Sequence, residues 1–486
     1  MMGQDISSAF EQLFDPDARL ATAPLLALAV GVAIYLVCDV VPFLVKARPG
    51  VFVATIVVAL FFELRILTAE TAPGVVLDGT FVADAHTALW GILFLVGTLL
   101  AWVYSVGYYR EDLPFKPEHD ALLLSAPVGM MLMVGSLDLI VFFVGLELLS
   151  IPLYALAAFR RARLESIEAG LKYFLLGSFS SALFVYGAAL LYAAGGSLAL
   201  ADLVGLAGSS NLATIGIALV AASLFFKVSV FPFHLWVPDV YQGSPTPVTA
   251  LMATGTKAAA FGFLVVRLTP VLPTNGAHTV AVIALITMAL GNLGALVQTD
   301  LKRMLAYSSV AHAGTLLLVV AAGITRGEAN GPERAALYYM GAYLFTATGA
   351  FGLISLLESS GSHFTKLDSL RGLARSRPGI AAGLSLFMLS LGGIPATGGF
   401  LGKWFVFAEL VRADMILVAV LGALLSVVAL GYYLRVIVAL WMQPAPEGQA
   451  APDATRPYSA GIATAVCCVG VLAMGLAPAL FLGAFR

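Results

Sequence analysis

Charge is scarce in this 486-residue chain: Asp, Glu, Lys and Arg make up 11% of it, against 60% hydrophobic residues and a mean hydropathy of +0.95. A soluble domain of that length has too little interior to hide so much apolar surface, so the solvent for most of the chain is lipid. Cysteine is scarcer still. Cys38, Cys467 and Cys468 cannot build a disulfide framework, and no CxxC or CxxxC spacing offers a zinc or iron–sulfur site. No basic tract points to nucleic acid, and a formal charge of −2 favours no partner. Ten-residue segments of alternating polarity are also lacking, which excludes an outer-membrane type of barrel. The opening MMGQDISSAFEQLFDPDARL has no basic region ahead of an apolar core, so no cleavable signal peptide is expected.

Long apolar runs are what the chain has in abundance. Stretches of roughly 20 residues, enough to cross the hydrocarbon layer, fall near 22–44, 50–69, 86–108, 119–137, 138–158, 170–194, 211–240, 246–268, 278–298, 301–323, 335–357, 380–410, 413–441 and 457–482. The expected fold class is therefore an all-α polytopic membrane protein of about fourteen spans. Connections after odd-numbered spans carry Lys46, Arg48, Arg110, Lys116, Arg160, Arg161, Arg163, Lys302, Arg303, Lys366, Arg371, Arg375, Arg377 and Arg456. The other face has Arg19, Arg65, Arg267, Arg326, Arg334, Arg412 and Arg486. Fourteen against seven predicts that the first face is cytoplasmic and that both termini lie outside.

Spans four to eight and nine to thirteen read as two copies of one unit. Their starts are offset by 159, 163, 165, 169 and 167 residues, Asp138-Leu139 is matched by Asp300-Leu301, and Pro232 and Pro395 interrupt the two longest spans 163 positions apart. Five helices is an odd number, so the second copy is expected upside down, the plan of many transporters whose broken helices mark the ion site. The expected organisation is a three-helix segment 1–118, a first repeat 119–268, an inverted second repeat 278–441, and a loop with a last helix over 442–486.

Few charges fall inside these spans. Those weighed as candidates are Glu147, Lys227, Lys257 and Lys403, with Lys172 and Arg435 within spans or at their edges. A charge at mid-membrane costs about 2.5–3.5 kcal/mol even on the lenient insertion scale, so such residues face protein or water and are functional candidates. The competing reading is a structural ion pair that locks helices. An ammonium and a carboxylate about 4 Å apart gain about 4 kcal/mol at an effective dielectric near 20. That biases a protonation equilibrium about a thousandfold. Closing and opening a Glu147–Lys227 pair would thus move a proton, and lysine suits this better than arginine, which does not readily deprotonate. Proline removes a backbone donor and frees carbonyls, so Pro232 with His234, and GGIPATGGFLGK at 392–403 with Pro395, read as polar gaps in long helices. Pro245 and Pro247 in GSPTPVT should start span eight. His312 is a candidate proton relay between the repeats, against a packing histidine. His234 is either a relay or a bond to the freed carbonyls. His86 reads as a loop residue, Glu409 as interfacial, and Arg435 has no evident acidic partner.

The strings VGLELLSIPLYAL (144–156), LFFKVSVFPFHLWVPDVYQGSPTPVTALMATGTKAAAF (224–261), DLKRMLAYSSVAHAG (300–314) and GGIPATGGFLGKW (392–404) closely resemble the antiporter-like membrane subunits of bacterial proton-pumping NADH–quinone oxidoreductase, respiratory complex I. The text around Glu147 and Lys257 looks most like the subunit N branch; the L and M branches share the general plan. The resemblance covers spans four to thirteen. It implies fourteen helices in two inverted five-helix repeats with helices seven and twelve broken, in the bacterial inner membrane. It also implies no cofactor in this chain, with NADH, FMN, iron–sulfur clusters and quinone in partner subunits, and contacts with subunits M, K and J. By motif match Glu147 is the family's helix-five glutamate, Lys227 the helix-seven lysine, Lys257 the bridging lysine of helix eight, Lys403 the helix-twelve lysine near the exit, and His312 the histidine after the YSS motif.

Simple symmetry fails in two places. Lys227 precedes its proline by five residues while Lys403 follows Pro395 by eight, and the position 162 after Glu147 is Ser309, not an acid. An asymmetric path is the natural inference. The leading reading is a proton-translocating subunit of a quinone reductase. The alternatives are a subunit of a multisubunit Na⁺/H⁺ antiporter and a purely structural membrane subunit.

Overall fold

The computed structural model describes residues 15–69, 72–109, 116–206, 208, 210–358, 362–446 and 458–483. In chain order these form α1 (Pro16–Val40), α2 (Arg48–Thr68), α3 (Ala85–Tyr108), α4 (Pro117–Gly135), α5 (Leu139–Ala157) and α6 (Leu164–Gly195). Then come α7 (Asn211–Val228), the short α8 (Trp236–Gly243), α9 (Thr246–Val271), α10 (Ala277–Leu296), α11 (Leu301–Arg326) and α12 (Asn330–Glu358). The chain closes with α13 (Pro378–Gly392), α14 (Gly398–Arg412), α15 (Ile416–Trp441) and α16 (Tyr458–Leu476). Between α2 and α3, β1 (Gly74–Val76) pairs antiparallel with β2 (Phe81–Ala83). Strands of three residues leave no periodic signal, which is why the apolar-run reading passed over them.

Twelve helices among the described residues are long and apolar enough to cross a membrane, and the chain is a multi-pass membrane protein. The other two of the fourteen expected places hold α4, whose first turn carries Glu118 and Asp120, and the interrupted pair α13–α14, each half 15 residues long. Of the charges weighed for orientation, Arg110, Arg456 and Arg486 lie outside the described residues, as do both chain termini.

Burial orders the bundle. The apolar window of α9 is wholly buried, and those of α11 and α12 are 94% and 89% buried, against 28% for α1, α6, α15 and α16. Helices α9, α11 and α12 are the core of the molecule, and α1, α6, α15 and α16 face outward. Their exposed Leu, Val, Ile and Phe side chains, such as Leu175 and Phe179 of α6, suit a hydrocarbon solvent that supplies no hydrophobic penalty.

Two local constructions recur at the expected offset. Asp138 caps α5 by accepting from the Ile140 N–H at 2.7 Å, and Asp300 caps α11 by accepting from the Arg303 N–H at 3.0 Å. Each aspartate also makes an isolated antiparallel bridge to the segment after the next helix, Asp138 to Ala199 and Asp300 to Lys366. The expected breaks are present too. α7 stops at Val228 because Ser229 is left-handed (φ 67°), and α13 stops at Gly392 because Gly393 is left-handed (φ 83°). The Phe231–Pro232 peptide in the first break is cis. One feature was not expected: α9 contains two π-helical stretches, Met252–Thr256 directly before Lys257 and Leu264–Leu268. Such widened turns gather at functional sites.

Helices here approach closely through small residues, since lipid provides no hydrophobic drive for their association. Gly129 of α4 shows this most sharply: a Cβ there would lie 2.3 Å from the Leu149 backbone nitrogen and 2.5 Å from the Gly145 carbonyl oxygen of α5. Gly129→Val must push α4 off α5. It should cost about 1–3 kcal/mol, read as a lower melting midpoint of the solubilised protein, and an unchanged midpoint would contradict the packing described.

Candidate functional site: a chain of buried lysines

The end of α7 presents Lys227 to the interior. Its freed backbone groups are taken up locally: the Trp236 indole donates to the Phe226 carbonyl at 3.1 Å, Val230 N–H to the Phe225 carbonyl at 2.9 Å, and Phe231 N–H to the Thr287 hydroxyl of α10 at 3.1 Å. With the break satisfied, the Lys227 side chain is free to leave the helix axis. Only 2% exposed, it donates to the Ser150 hydroxyl at 2.6 Å and the Tyr154 hydroxyl at 3.2 Å of α5, and sits over the rings of Tyr154 and Tyr173.

Glu147 is not its partner. No carboxylate of the described residues lies within ion-pair distance of Lys227; Glu147 is half-buried and accepts from the Ser181 hydroxyl of α6. Positions 147, 150 and 154 share one face of α5, so Glu147 stands one turn from the serine that holds the lysine. In place of the expected direct pair, each group meets a neutral hydroxyl of its own, Ser150 for Lys227 and Ser181 for Glu147. Of the two readings of His234, the bond to freed carbonyls is not formed: the Trp236 indole serves the Phe226 carbonyl, and His234 Nδ1 is buried without a hydrogen-bond partner. Pro245 and Pro247 do start α9, as the N-cap and within its first turn.

At the centre, Lys257 of α9 is buried and donates to both the hydroxyl and the carbonyl of Ser309 on α11. One turn further along α11, His312 is held on both ring nitrogens, Nδ1 by the Tyr339 hydroxyl of α12 and Nε2 by the Tyr433 hydroxyl of α15 at 3.1 Å. Tyr433 also meets the Ser308 hydroxyl. His312 lines two small cavities of about 10 Å³ each, room for about one water apiece. The first also touches Lys403, Asn292 and the unpartnered hydroxyl of Ser426, a polar lining that suits water.

Lys403 of α14 closes the chain. It donates to the carbonyls of Leu391 at 2.8 Å and Gly392 at 3.1 Å, the last residues of α13. A cation at a helix C-terminus is favoured by the macrodipole. Gly393 makes the approach possible, since it is left-handed and its missing Cβ would lie 3.1–3.5 Å from the Lys403 side chain.

Charges gather at both ends of this chain. On the basic-rich face a groove of about 780 Å³ is lined by Arg163, Glu168, Lys172, Asp239, Lys302 and Glu358, among others. Glu358 is buried and receives Arg160 at 3.0 Å, Lys302 at 3.5 Å and the Thr246 hydroxyl, while Asp239 receives Lys172 and Arg303, both at 2.7 Å. Thr246 at the start of α9 donates to Glu358 of this groove, and Lys257 lies about 16 Å along the helix. On the opposite face, His86 is a helical residue of α3 paired with buried Glu333 of α12 at 2.9 Å, not a loop residue. Glu409 is buried rather than interfacial, held by Arg326 at 2.8 Å and by Arg412. Arg435 donates to the carbonyls of Leu296 at 2.8 Å and Gln298, capping the end of α10 instead of pairing with an acid.

Sequence reasoning missed Ser150, Tyr154, Ser181, Tyr339 and Tyr433, and also Glu63, buried against Gly91. Ser150 and Tyr154 were legible as the third and seventh residues after Glu147. Glu333 and Glu358 bracket the expected span 335–357 and so fall outside the apolar runs searched for charge. The described residues contain no cluster of His, Cys, Asp and Glu able to hold a metal.

Comparison with known proteins gives a consistent picture. Residues 136–429 match the family described as NADH:quinone oxidoreductase/Mrp antiporter, TM. NADH-quinone oxidoreductase subunit N of Myxococcus xanthus is 39% identical over 505 residues, covering 96% of this chain and 96% of that one. Its namesake in Salinibacter ruber is 39% identical, covering 97% and 95%. Among solved structures, a chain of respiratory complex I from Thermus thermophilus with bound aureothin superposes with a TM-score of 0.80 at 35% identity, covering 95% of this chain and 99% of that one. A chain of the Mrp complex from Dietzia sp. DQ12-45-1b shares the fold, with a TM-score of 0.78 at 23% identity and 96% of each chain covered.

The shared Tyr433 hydroxyl gives a direct test of the central network. Tyr433→Phe leaves Ser308 and the Nε2 of a buried imidazole without their partner, a loss of roughly 1–3 kcal/mol. The melting midpoint of the solubilised protein should fall accordingly; if it does not, the bond at His312 Nε2 is not part of the fold's stability.

Proposed function

Because the chain belongs to the NADH:quinone oxidoreductase/Mrp antiporter family of membrane subunits, we propose that it carries protons across the membrane arm of an NADH–quinone oxidoreductase, as a non-redox subunit of that translocase. The observation that carries this reading is that Lys227, Lys257 and Lys403 are buried and meet only neutral oxygens. An ammonium held by hydroxyls and carbonyls keeps its hydrogen bonds but lacks the opposite charge that would lock its proton in place. The approach of one carboxylate, worth about 4 kcal/mol at 4 Å, is then enough to decide whether it holds or releases a proton. A structural ion pair would have been built the other way round, with the acid already in contact.

The groove at Glu358 and Asp239 takes protons in on the cytoplasmic side. Glu147 serves as the mobile acid: by leaving Ser181 and turning toward Ser150 it raises the hold on Lys227, and by returning it lowers it. Released protons pass by way of Lys257, Ser309, the tyrosine-held ring of His312 and the adjoining cavities to Lys403. Pro232, His234, Pro245, Pro247 and Pro395 shape the breaks and helix starts that admit water to this line. Residues 119–268 and 278–441 act as two inverted units flanked by 1–118 and 442–486, and the matched aspartate caps and breaks support that division. NADH, FMN, iron–sulfur clusters and quinone belong to partner subunits, and subunits M, K and J are the expected membrane neighbours. The site is the bacterial plasma membrane, with both termini on the periplasmic side.

The Na⁺/H⁺ antiporter alternative has less support. Relatives near 40% identity over nearly the whole chain carry the oxidoreductase name, whereas the Mrp likeness at 23% concerns the fold alone.

Lys227→Ala and Glu147→Gln in the assembled complex should each lower coupled proton ejection by a factor on the order of 10 or more, in the range usual for a lost acid–base group. Proton ejection by membrane vesicles oxidising NADH checks this, and wild-type rates in both variants would refute the role. Sodium removal should leave the same rates unchanged; a sodium requirement would favour the antiporter reading.

A further inference from the structure

We propose that Glu333 and His86 form the proton outlet of this chain on the face opposite the polar groove, an assignment that rests on the translocation reading above. Glu333, in the first turn of α12, is 2% exposed, while the His86 side chain is 45% exposed. Their contact of 2.9 Å between Oε2 and Nδ1 therefore joins the buried interior to the protein surface. The Trp90 indole donates to the other carboxylate oxygen at 3.4 Å and fixes its orientation.

The position fits an outlet. Trp90 packs on Gly262, five residues beyond Lys257 on α9, and Tyr339, the partner of His312, is six residues inward from Glu333 on α12. At 1.5 Å per residue these separations are about 7.5 and 9 Å along the helix axes, within the reach of a short file of water. Other acids near this face are already committed. Glu409 is held by the guanidinium groups of Arg326 and Arg412, and Asp84 caps α3 through Thr87 and faces Arg267 at 3.5 Å. Glu333 has no guanidinium or ammonium within ion-pair distance among the described residues, only an imidazole that itself gives up protons. The other imidazole–carboxylate pair among the described residues, His119 with Asp120, is enclosed on both sides, with Tyr35 and Trp102 both donating to Oδ2 of the aspartate, so it does not reach the surface.

The step balances simply. A proton arriving on the Glu333 carboxylate makes the acid, which donates it to Nδ1 of neutral His86. The imidazolium so formed, faced by Glu333, Asp84 and Arg267, loses the proton on Nε2 to water. One proton has entered and one has left, the carboxylate is regenerated, and exchange of the exposed ring with water resets its tautomer.

The assembled complex in proteoliposomes tests this with H86A, E333Q and K227A, assembly being verified by retained NADH oxidation. Proton ejection should fall by a factor on the order of 10 in H86A and E333Q. Imidazole added to the compartment receiving the protons should restore H86A but not E333Q, a rescue that a mere helix brace would not show. Wild-type ejection in H86A, or a loss that imidazole leaves untouched, overturns the outlet. If H86A does not assemble, H86Q, which keeps a hydrogen bond to Glu333, carries the same rescue test. K227A separates the two levels: normal ejection there removes the translocation reading itself, whereas loss in K227A with normal E333Q removes only the outlet.

Discussion

Everything in this fold depends on one constraint: in hydrocarbon, each freed backbone carbonyl and each charge must find its partner inside the protein. Breaking a helix at mid-membrane exposes carbonyls that lipid cannot satisfy. Both breaks answer with side chains from elsewhere. Lys403 reaches back from α14 to the last carbonyls of α13, and Trp236 reaches back from α8 to the Phe226 carbonyl. The second answer leaves Lys227 unspent, and α5 supplies its hydroxyls. The breaks and the lysines are thus one device seen from two sides.

That device explains why hydroxyls and carbonyls, not carboxylates, surround the three lysines. Ser150 and Tyr154, Ser309, and the carbonyls of Leu391 and Gly392 satisfy hydrogen bonds without fixing charge. Acids with strong cationic partners are confined to the ends, where Glu358 and Glu409 sit among arginines and lysine. Buried ion pairs are stiff, since losing one partner strands a desolvated charge. Placing them at the ends braces the bundle there and leaves the middle responsive to a small electrostatic change.

The two halves of the chain use this plan unequally. Asp138 and Asp300 cap their helices alike, and Ser229 and Gly393 end α7 and α13 in the same left-handed turn. Yet the place of Glu147 in the first half is taken by Ser309 in the second, and Ser309 is what Lys257 binds. The lack of a second acid is therefore not a gap: an acid at 309 would pair with Lys257 and hold its proton.

How much was legible follows from what each feature leaves in one dimension. Span positions, both breaks, the proline start of α9 and the cost of Lys227, Lys257 and Lys403 in lipid all follow from local composition, because hydropathy and proline act within a few residues. The aspartate caps were visible as a repeated dipeptide. Partner choice was not. Glu147 with Lys227 was the pairing that opposite charges suggest, but rotation about α5 turns Glu147 to Ser181 and gives Ser150 to the lysine. His86 and Glu333, 247 residues apart, and Arg435 with the end of α10 are brought together only by how helices stack. The sequence by itself determined that charges must be buried in a membrane and that Lys227, Lys257 and Lys403 are among them, since the cost of each is a property of its own segment; buried Glu63, Glu333, Glu358 and Glu409 it did not mark. Which oxygen each one meets was decided by tertiary structure alone, because hydrogen bonds reach only about 3 Å and that distance depends on the packing of every helix between them.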